Sequence, residues 1–180
     1  AVMSEVSVFD VIGPIMVGPS SSHTAGAVRL GLMARALLGV PVQKAIVGLH
    51  GSFAHTGKGH GTDRAIIGGL LGFAPDDGRI RASLSLAEAQ GLEFTLQEVD
   101  LGGEAHPNSA TFELWGADAH VHCTGASVGG GMIRITEVEG YEVDFSGQYH
   151  TLVVVAEDRP GTINAVTSWF MHYQLNIAVF

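Results

Sequence analysis

The stretch "GPSSSHTAGAVRLGLMARALLGVP" (18–41) decides how the chain is read. From Thr24 to Leu38 the apolar residues Ala25, Val28, Leu32, Met33, Ala36 and Leu37 recur at the spacing of one helix face, and Gly39 with Pro41 stops the run. This predicts an amphipathic helix over 24–38 with three serines, a histidine and a threonine crowded against its start. One hydroxyl explains an N-cap, because a serine or threonine oxygen accepts from a free N–H of the first turn. Four hydroxyls exceed that need. A helix start also carries unpaired N–H donors and a partial positive charge, so the surplus fits a cradle for a carboxylate or phosphate. Cap and cradle both stand at this point.

Working outward, "SVFDVIG" (7–13) carries a capping pattern for a short helix ended by Gly13-Pro14. "VQKAIVGL" (42–49) reads as a strand, "TDRAIIGGLLGF" (62–73) as a helix capped by Thr62 or Asp63, and "SLAEAQ" (85–90) as a shorter helix. Strands follow at 92–99, 109–115, 118–124 and 131–138. The expected fold is therefore α+β, with helices packed on a mixed or antiparallel sheet over residues 1–140. "EGYEVDFSGQ" (139–148) is polar and turn-rich and reads as a boundary. Beyond it, 149–180 reads as a βαβ unit: a strand from "HTLVVVAEDRPG", an amphipathic helix "TINAVTSWFMHY" and a strand begun at "NIAVF". Two strands and one helix close no core, so this unit is expected to be incomplete at Phe180.

The composition narrows the function classes. The net charge is -9 with no lysine- or arginine-rich run, which removes the footprint of a nucleic-acid or anionic-membrane binder. No apolar run approaches the roughly 20 residues of a membrane span. Cys123 is the single cysteine, so neither an internal disulfide nor a self-contained cysteine-ligated cluster is expected, and a reducing, cytoplasmic setting fits. Alternation places His120 and His122 on a strand facing solvent or an interface, and Cys123 reads as a small buried hydrophobe.

Polar residues gather in two further glycine- or proline-bound segments, "LHGSFAHTGKGHGTD" (49–63) and "GGEAHPN" (102–108). With 18–26 they hold five of the nine histidines: His23, His50, His55, His60 and His106. The five-residue spacing of His50, His55 and His60 matches neither the i, i+4 pair of a helical metal site nor one strand face, so no metal site is expected. Ser52, Thr56, Lys58 and Thr62 alternate with glycines that let backbone approach a ligand closely.

Taken together, "FDVIGPIMVGPSSSHTAGAVRLG", "HGSFAHTGKGHGTD", "HPN" and "VVVAEDRPG" resemble the beta subunits of iron-sulfur-dependent L-serine dehydratases, the last segment separately resembling an ACT domain. The resemblance implies an allosteric substrate-binding-like domain followed by a partial ACT-like unit. It implies an alpha subunit as partner, which carries a 4Fe-4S cluster that this chain does not hold, and conversion of L-serine to pyruvate and ammonia. It also implies that this chain is inactive alone and pairs with a second copy. Under it, Ser20, Ser21, Ser22 and Thr24 hold the substrate carboxylate, and His23, His50 and His60 are the candidates for proton transfer or hydroxyl polarisation. Ser52, Thr56, His106 and Asn108 line the wall. Arg159, Pro160, Gly161 and Asn176 would hold an amino-acid effector. A purely regulatory serine-binding module without catalytic residues is the other reading.

Overall fold

The computed structural model describes residues 21–55 and 61–177, and the chain divides into two units, Ala1–Tyr149 and His150–Phe180. The helix expected at 7–13 lies outside the described residues. Among the described residues of the first unit six strands form one mixed sheet: β1 (Lys44–Leu49), β2 (Glu93–Glu98), β3 (Ser109–Trp115), β4 (His120–Gly129), β5 (Met132–Val138) and β6 (Tyr141–Phe145), in the order β2-β1-β3-β4-β5-β6. β1 and β2 are parallel, and every other neighbouring pair is antiparallel. A parallel pair needs a long crossover. Here α2 (Thr62–Leu70), a 3-10 turn (Gly78–Ala82) and α3 (Ser83–Ala89) supply it.

The expected helix forms as α1 (Ala27–Leu38), and it continues upstream without a break as a π turn, Ser21–Gly26. Gly26 is helical (φ -64°, ψ -41°) and no side chain caps α1, so Thr24 is not its cap: the turn ahead already occupies that place. At α2, left-handed Gly61 (φ 75°) takes the cap position and no side-chain cap forms. Asp63 instead accepts from the N–H of Arg64 at 2.8 Å. The stretch 139–148 read as a boundary contains β6, whose charged residues belong to the edge strand of the sheet, paired on one side only among the described residues.

Alternation sorts the sheet into two faces. Ala45, Val47 and Leu49 on β1, Ala110, Phe112 and Leu114 on β3, Val121 and Cys123 on β4, and Ile133 and Ile135 on β5 are buried beneath the helices. Their register makes continuous rows, such as Val47↔Phe112 and Phe112↔Cys123. α1 covers these rows and packs against α2. That helix contact is backbone against backbone: a Cβ at Gly69 would overlap the Val28 carbonyl and lie 2.8 Å from Leu32 N, and one at Gly31 would overlap the Ile66 carbonyl. Arg35 fastens the far end by donating from Nη1 to the Leu70 carbonyl (3.0 Å).

The opposite face is polar. His120 Nε2 bonds Glu113 (2.8 Å), and Glu137 accepts from the Gly140 N–H (2.5 Å) and the Thr124 hydroxyl (2.9 Å) and pairs with His122 Nδ1 (3.2 Å). Partial burial pushes the Glu137 carboxyl up, but these bonds outweigh it and hold the group below the usual glutamate range. Cys123 points the other way, into the core, where burial, then Glu137 and Glu139, push its thiol up to about 12.

In the second unit, α4 (Thr162–His172) starts from left-handed Gly161 (φ 95°), and none of its residues is buried. Of the βαβ unit, the described residues form this helix. Residues 151–159 enter no ladder among the described residues, and Leu152, Val154 and Val155 are exposed. A strand exists only through a partner for its N–H and C=O groups. No helix among the described residues is long and apolar enough to cross a membrane.

Two measurements check this account. Gly69→Ala should lower the unfolding free energy in urea by about 1–3 kcal/mol through overpacking, whereas Gly78→Ala, whose Cβ meets nothing within 4 Å, should stay within about 0.5 kcal/mol of the parent. Glu137 is held below its unfolded value, so its contribution is complete above about pH 4.3 and fades as pH falls through the folded value. The stability gap between the parent chain and Glu137→Gln should be open at pH 7 and close in acid.

Candidate functional site

Parallel β1 and β2 finish at the same end of the sheet, and antiparallel β3 begins there while β4 finishes there. Four chain segments therefore converge. Residues 50–53 follow β1, 99–101 follow β2, 106–108 precede β3, and Ser127 lies near the end of β4. The π turn joins them, packed on β4 and α2. A π turn of this kind is uncommon and concentrates at functional sites.

Backbone bonds lock the loops together. His50 N–H donates to Ser109 O (3.0 Å), Ser52 N–H to Pro107 O (2.7 Å) and Val99 N–H to Leu49 O (3.0 Å). Gly51 makes this possible: its φ is 56°, and a Cβ there would sit 2.8 Å from the Pro107 carbonyl. The loop begun at Ser52 turns helically, directing its hydroxyl to His23 Nε2 at 3.0 Å. Phe53, fully buried, meets the His23 ring edge-on with centroids 5.4 Å apart. His23 is thus oriented by one polar and one aromatic neighbour from the segment after β1.

His50 is held differently. Its side chain is 14% exposed, and Nδ1 accepts from the Leu101 N–H at 3.2 Å. A backbone N–H has a fixed hydrogen, so the neutral ring carries its own hydrogen on Nε2. The Val99 carbonyl lies 3.3 Å and Asp100 Oδ1 3.9 Å from the same nitrogen. His106 is fixed the same way, its Nδ1 accepting from the Asn108 N–H at 3.1 Å. Both neutral rings therefore offer a hydrogen-bond donor at Nε2.

Of the residues singled out in the sequence, Ser22, His23 and Thr24 lie in the π turn, Thr24 buried, and His50, Ser52, His106 and Asn108 meet at the same sheet end. Ser21 opens the π turn. Ser20, Thr56 and His60 lie outside the described residues. Arg159, Pro160 and Gly161 precede α4 and Asn176 follows it, so an axis of about 16 Å separates the two groups. They are exposed, and Arg159 pairs with Glu157.

Comparison with known proteins bears on this geometry. The family model described as serine dehydratase beta chain matches residues 7–99. The chain is 46% identical over 171 residues to the probable L-serine dehydratase beta chain of Bacillus subtilis (strain 168), covering 95% of this chain and 77% of that one. The chain belongs to the serine dehydratase beta chain family. Its identity to the L-serine dehydratase beta chain of Peptoniphilus asaccharolyticus is 42% over 176 residues, 97% of this chain and 79% of the other. L-serine dehydratase 2 of Escherichia coli (strain K12) is 33% identical over 156 residues, 82% of this beta chain and 32% of that protein.

The family match stops at residue 99, short of Ser127, which the geometry adds to the site. Ser127 is fully buried, and its hydroxyl lies where a side chain of residue 26 would be, so that a Cβ on Gly26 would overlap it. Thr62, with Asp63 one of the two cap candidates of its helix, is fully buried with its hydroxyl unbonded. For Thr62 the signal was the glycine before it, which takes the cap position itself. For Ser127 the sequence carried none.

Gly51→Ala should cost about 1–2 kcal/mol through the left-handed backbone alone. Because the Ser52 and Phe53 amides depend on that turn, their hydrogen exchange should speed by about tenfold or more while the amides of β4 are affected less.

Proposed function

We propose that this beta chain works with an alpha chain as an L-serine ammonia-lyase, and that the polar end of its sheet forms part of the wall around the substrate. The observation that carries this reading is the convergence of Ser22, His23 and Thr24 with His50, Ser52, His106 and Asn108 at one sheet end, in a chain of the serine dehydratase beta family. Loss of water from L-serine leaves an enamine, and its hydrolysis yields pyruvate and ammonia. That chemistry needs a held carboxylate, a proton acceptor and help for the departing hydroxyl.

A 4Fe-4S cluster does not fit the donors of this chain. Its one cysteine is buried with the thiol pushed up to about 12, and among the described residues no three His, Cys, Asp or Glu side chains gather as a metal site would require. The cluster is therefore assigned to the alpha chain, where it would supply a Lewis-acid iron. This chain's residues do the remaining work. The helix start at the π turn, with Ser22 and Thr24, takes the substrate carboxylate. His23, oriented by Ser52 and Phe53, is placed to move a proton, and neutral His50 donates from Nε2. His60, outside the described residues, keeps the candidacy its motif gave it. Pairing with a second copy and a reducing, cytoplasmic setting belong to the same proposal.

The test is anaerobic co-expression with an alpha chain and a serine-dependent pyruvate assay. The complex should be active and the isolated chain inactive. His23→Ala and His50→Ala in the complex should each lower kcat by about 10² to 10⁴. A change confined to cooperativity or serine sensitivity, with kcat intact, would leave the chain a regulatory module instead.

A further inference from the structure

Two groups compete for one nitrogen of His50. The Leu101 N–H lies 3.2 Å from Nδ1 and bonds it only when that nitrogen is bare. The Val99 carbonyl, at 3.3 Å, bonds it only when it carries a hydrogen. A neutral imidazole carries one hydrogen, so the two contacts demand opposite tautomers. Whichever prevails decides what the ring offers at Nε2: a donor in the first case, an acceptor in the second.

The segment that carries both contenders is held at two points. Val99 N–H donates to Leu49 O at 3.0 Å, one step beyond the last pair of the parallel strands, Leu49↔Glu98. The Val99 side chain takes the space above Gly48, where a Cβ would lie 2.8 Å from its Cγ1. At the other point Asp100 Oδ1 accepts from the Gly102 N–H at 2.8 Å, which closes an Asx turn around Leu101, and Gly102 leaves that turn in the left-handed region (φ 85°). The peptide between Asp100 and Leu101 lies inside the turn, so the turn sets where the Leu101 N–H points. The same carboxylate lies 3.9 Å from His50 Nδ1, where its charge favours a hydrogen on that nitrogen and so opposes the turn. Its side chain is 91% exposed, and water screens a pair of that kind almost completely. The turn therefore prevails.

We infer that Asp100 is a positioning residue for His50: by closing the turn with Gly102 it holds the Leu101 N–H on Nδ1 and keeps the ring's hydrogen on Nε2. It acts through the geometry of one hydrogen bond and not through its charge. The bearing on catalysis rests on the lyase reading above, in which neutral His50 is a donor; the tautomer itself does not.

The experiment reads the ring directly, from the nitrogen–hydrogen correlations of histidine side chains in the ¹⁵N-labelled full chain at a pH of about 8.5, where histidines are neutral. His50 is assigned by the signals lost in His50→Gln. The parent should show a hydrogen on Nε2 alone, and Asp100→Ala should show both tautomers. Asp100→Asn, which keeps the accepting oxygen and drops the charge, should match the parent. In the alpha–beta complex, Asp100→Ala should lower kcat by about 3- to 10-fold, the factor that one ordinary hydrogen bond carries, and Asp100→Asn should stay within about twofold. A parent-like ring in Asp100→Ala, or an Asp100→Asn ring that behaves as Asp100→Ala, overturns the assignment. Mixed tautomers with an unchanged kcat uphold the positioning of His50 and remove its role as donor in the lyase. A parent complex that makes no pyruvate fails the lyase reading separately, and the ring spectrum still decides the role of Asp100.

Discussion

The contact at Gly31 and Gly69 sets the geometry of everything at the sheet end. Where two helices meet through backbone, no side chain can adjust their distance, and a carbonyl of one lies against the Cα of the other. α2 is thereby held at a fixed separation from α1, which lies above the β3 and β4 rows. The elements that carry the polar residues, the π turn before α1 and Thr62 at the start of α2, inherit that placement. A looser pair of helices, spaced by leucines, would leave the position of His23 to side-chain packing.

The two faces of the sheet use polar groups in opposite ways. On the open face every carboxylate that approaches a histidine is also bonded elsewhere or open to water, as at Glu137, so the face is electrostatically settled. At the buried end the reverse holds: oxygens are sequestered without partners, and the fold tolerates the cost. Natural chains carry such local violations mainly where a ligand completes them. Cys123 lies between the two regimes, on the core side, with its thiol held in a form that neither ligates nor attacks.

Periodicity made most of the fold legible. The helix face of 24–38, the strands at 109–115 and 131–138 and the alternation around Cys123 all rest on local pattern, and the register that joins them follows from it. The hydroxyl-rich start of that helix was also legible, though its form was not: a π turn has no separate periodic signature within six residues. β6 was hidden because glutamate, aspartate and tyrosine compose both edge strands and linkers. At the site, residues with distinctive chemistry and glycine neighbours were visible, namely His23, His50, Ser52, His106 and Asn108. Ser127 was invisible because a serine in a strand carries no mark of whether it finds a partner. That is a property of the assembled sheet, where its hydroxyl meets Gly26.

The order of the strands also bears on how the molecule comes together. β3, β4, β5 and β6 follow one another as a meander, each closing on its predecessor through a short connection, whereas Leu49 must find Ala110 across roughly 60 residues to add β1. Loop-closure entropy and contact order make the meander the quick part of assembly and the β1 and helix side the slow part. Asn108 and Ser127 belong to the quick part, while Thr62 and the π turn belong to the slow part. The polar sheet end, where the π turn meets Ser127, is therefore finished by the last step of folding, and any ligand held there reports that α1 has docked on the meander.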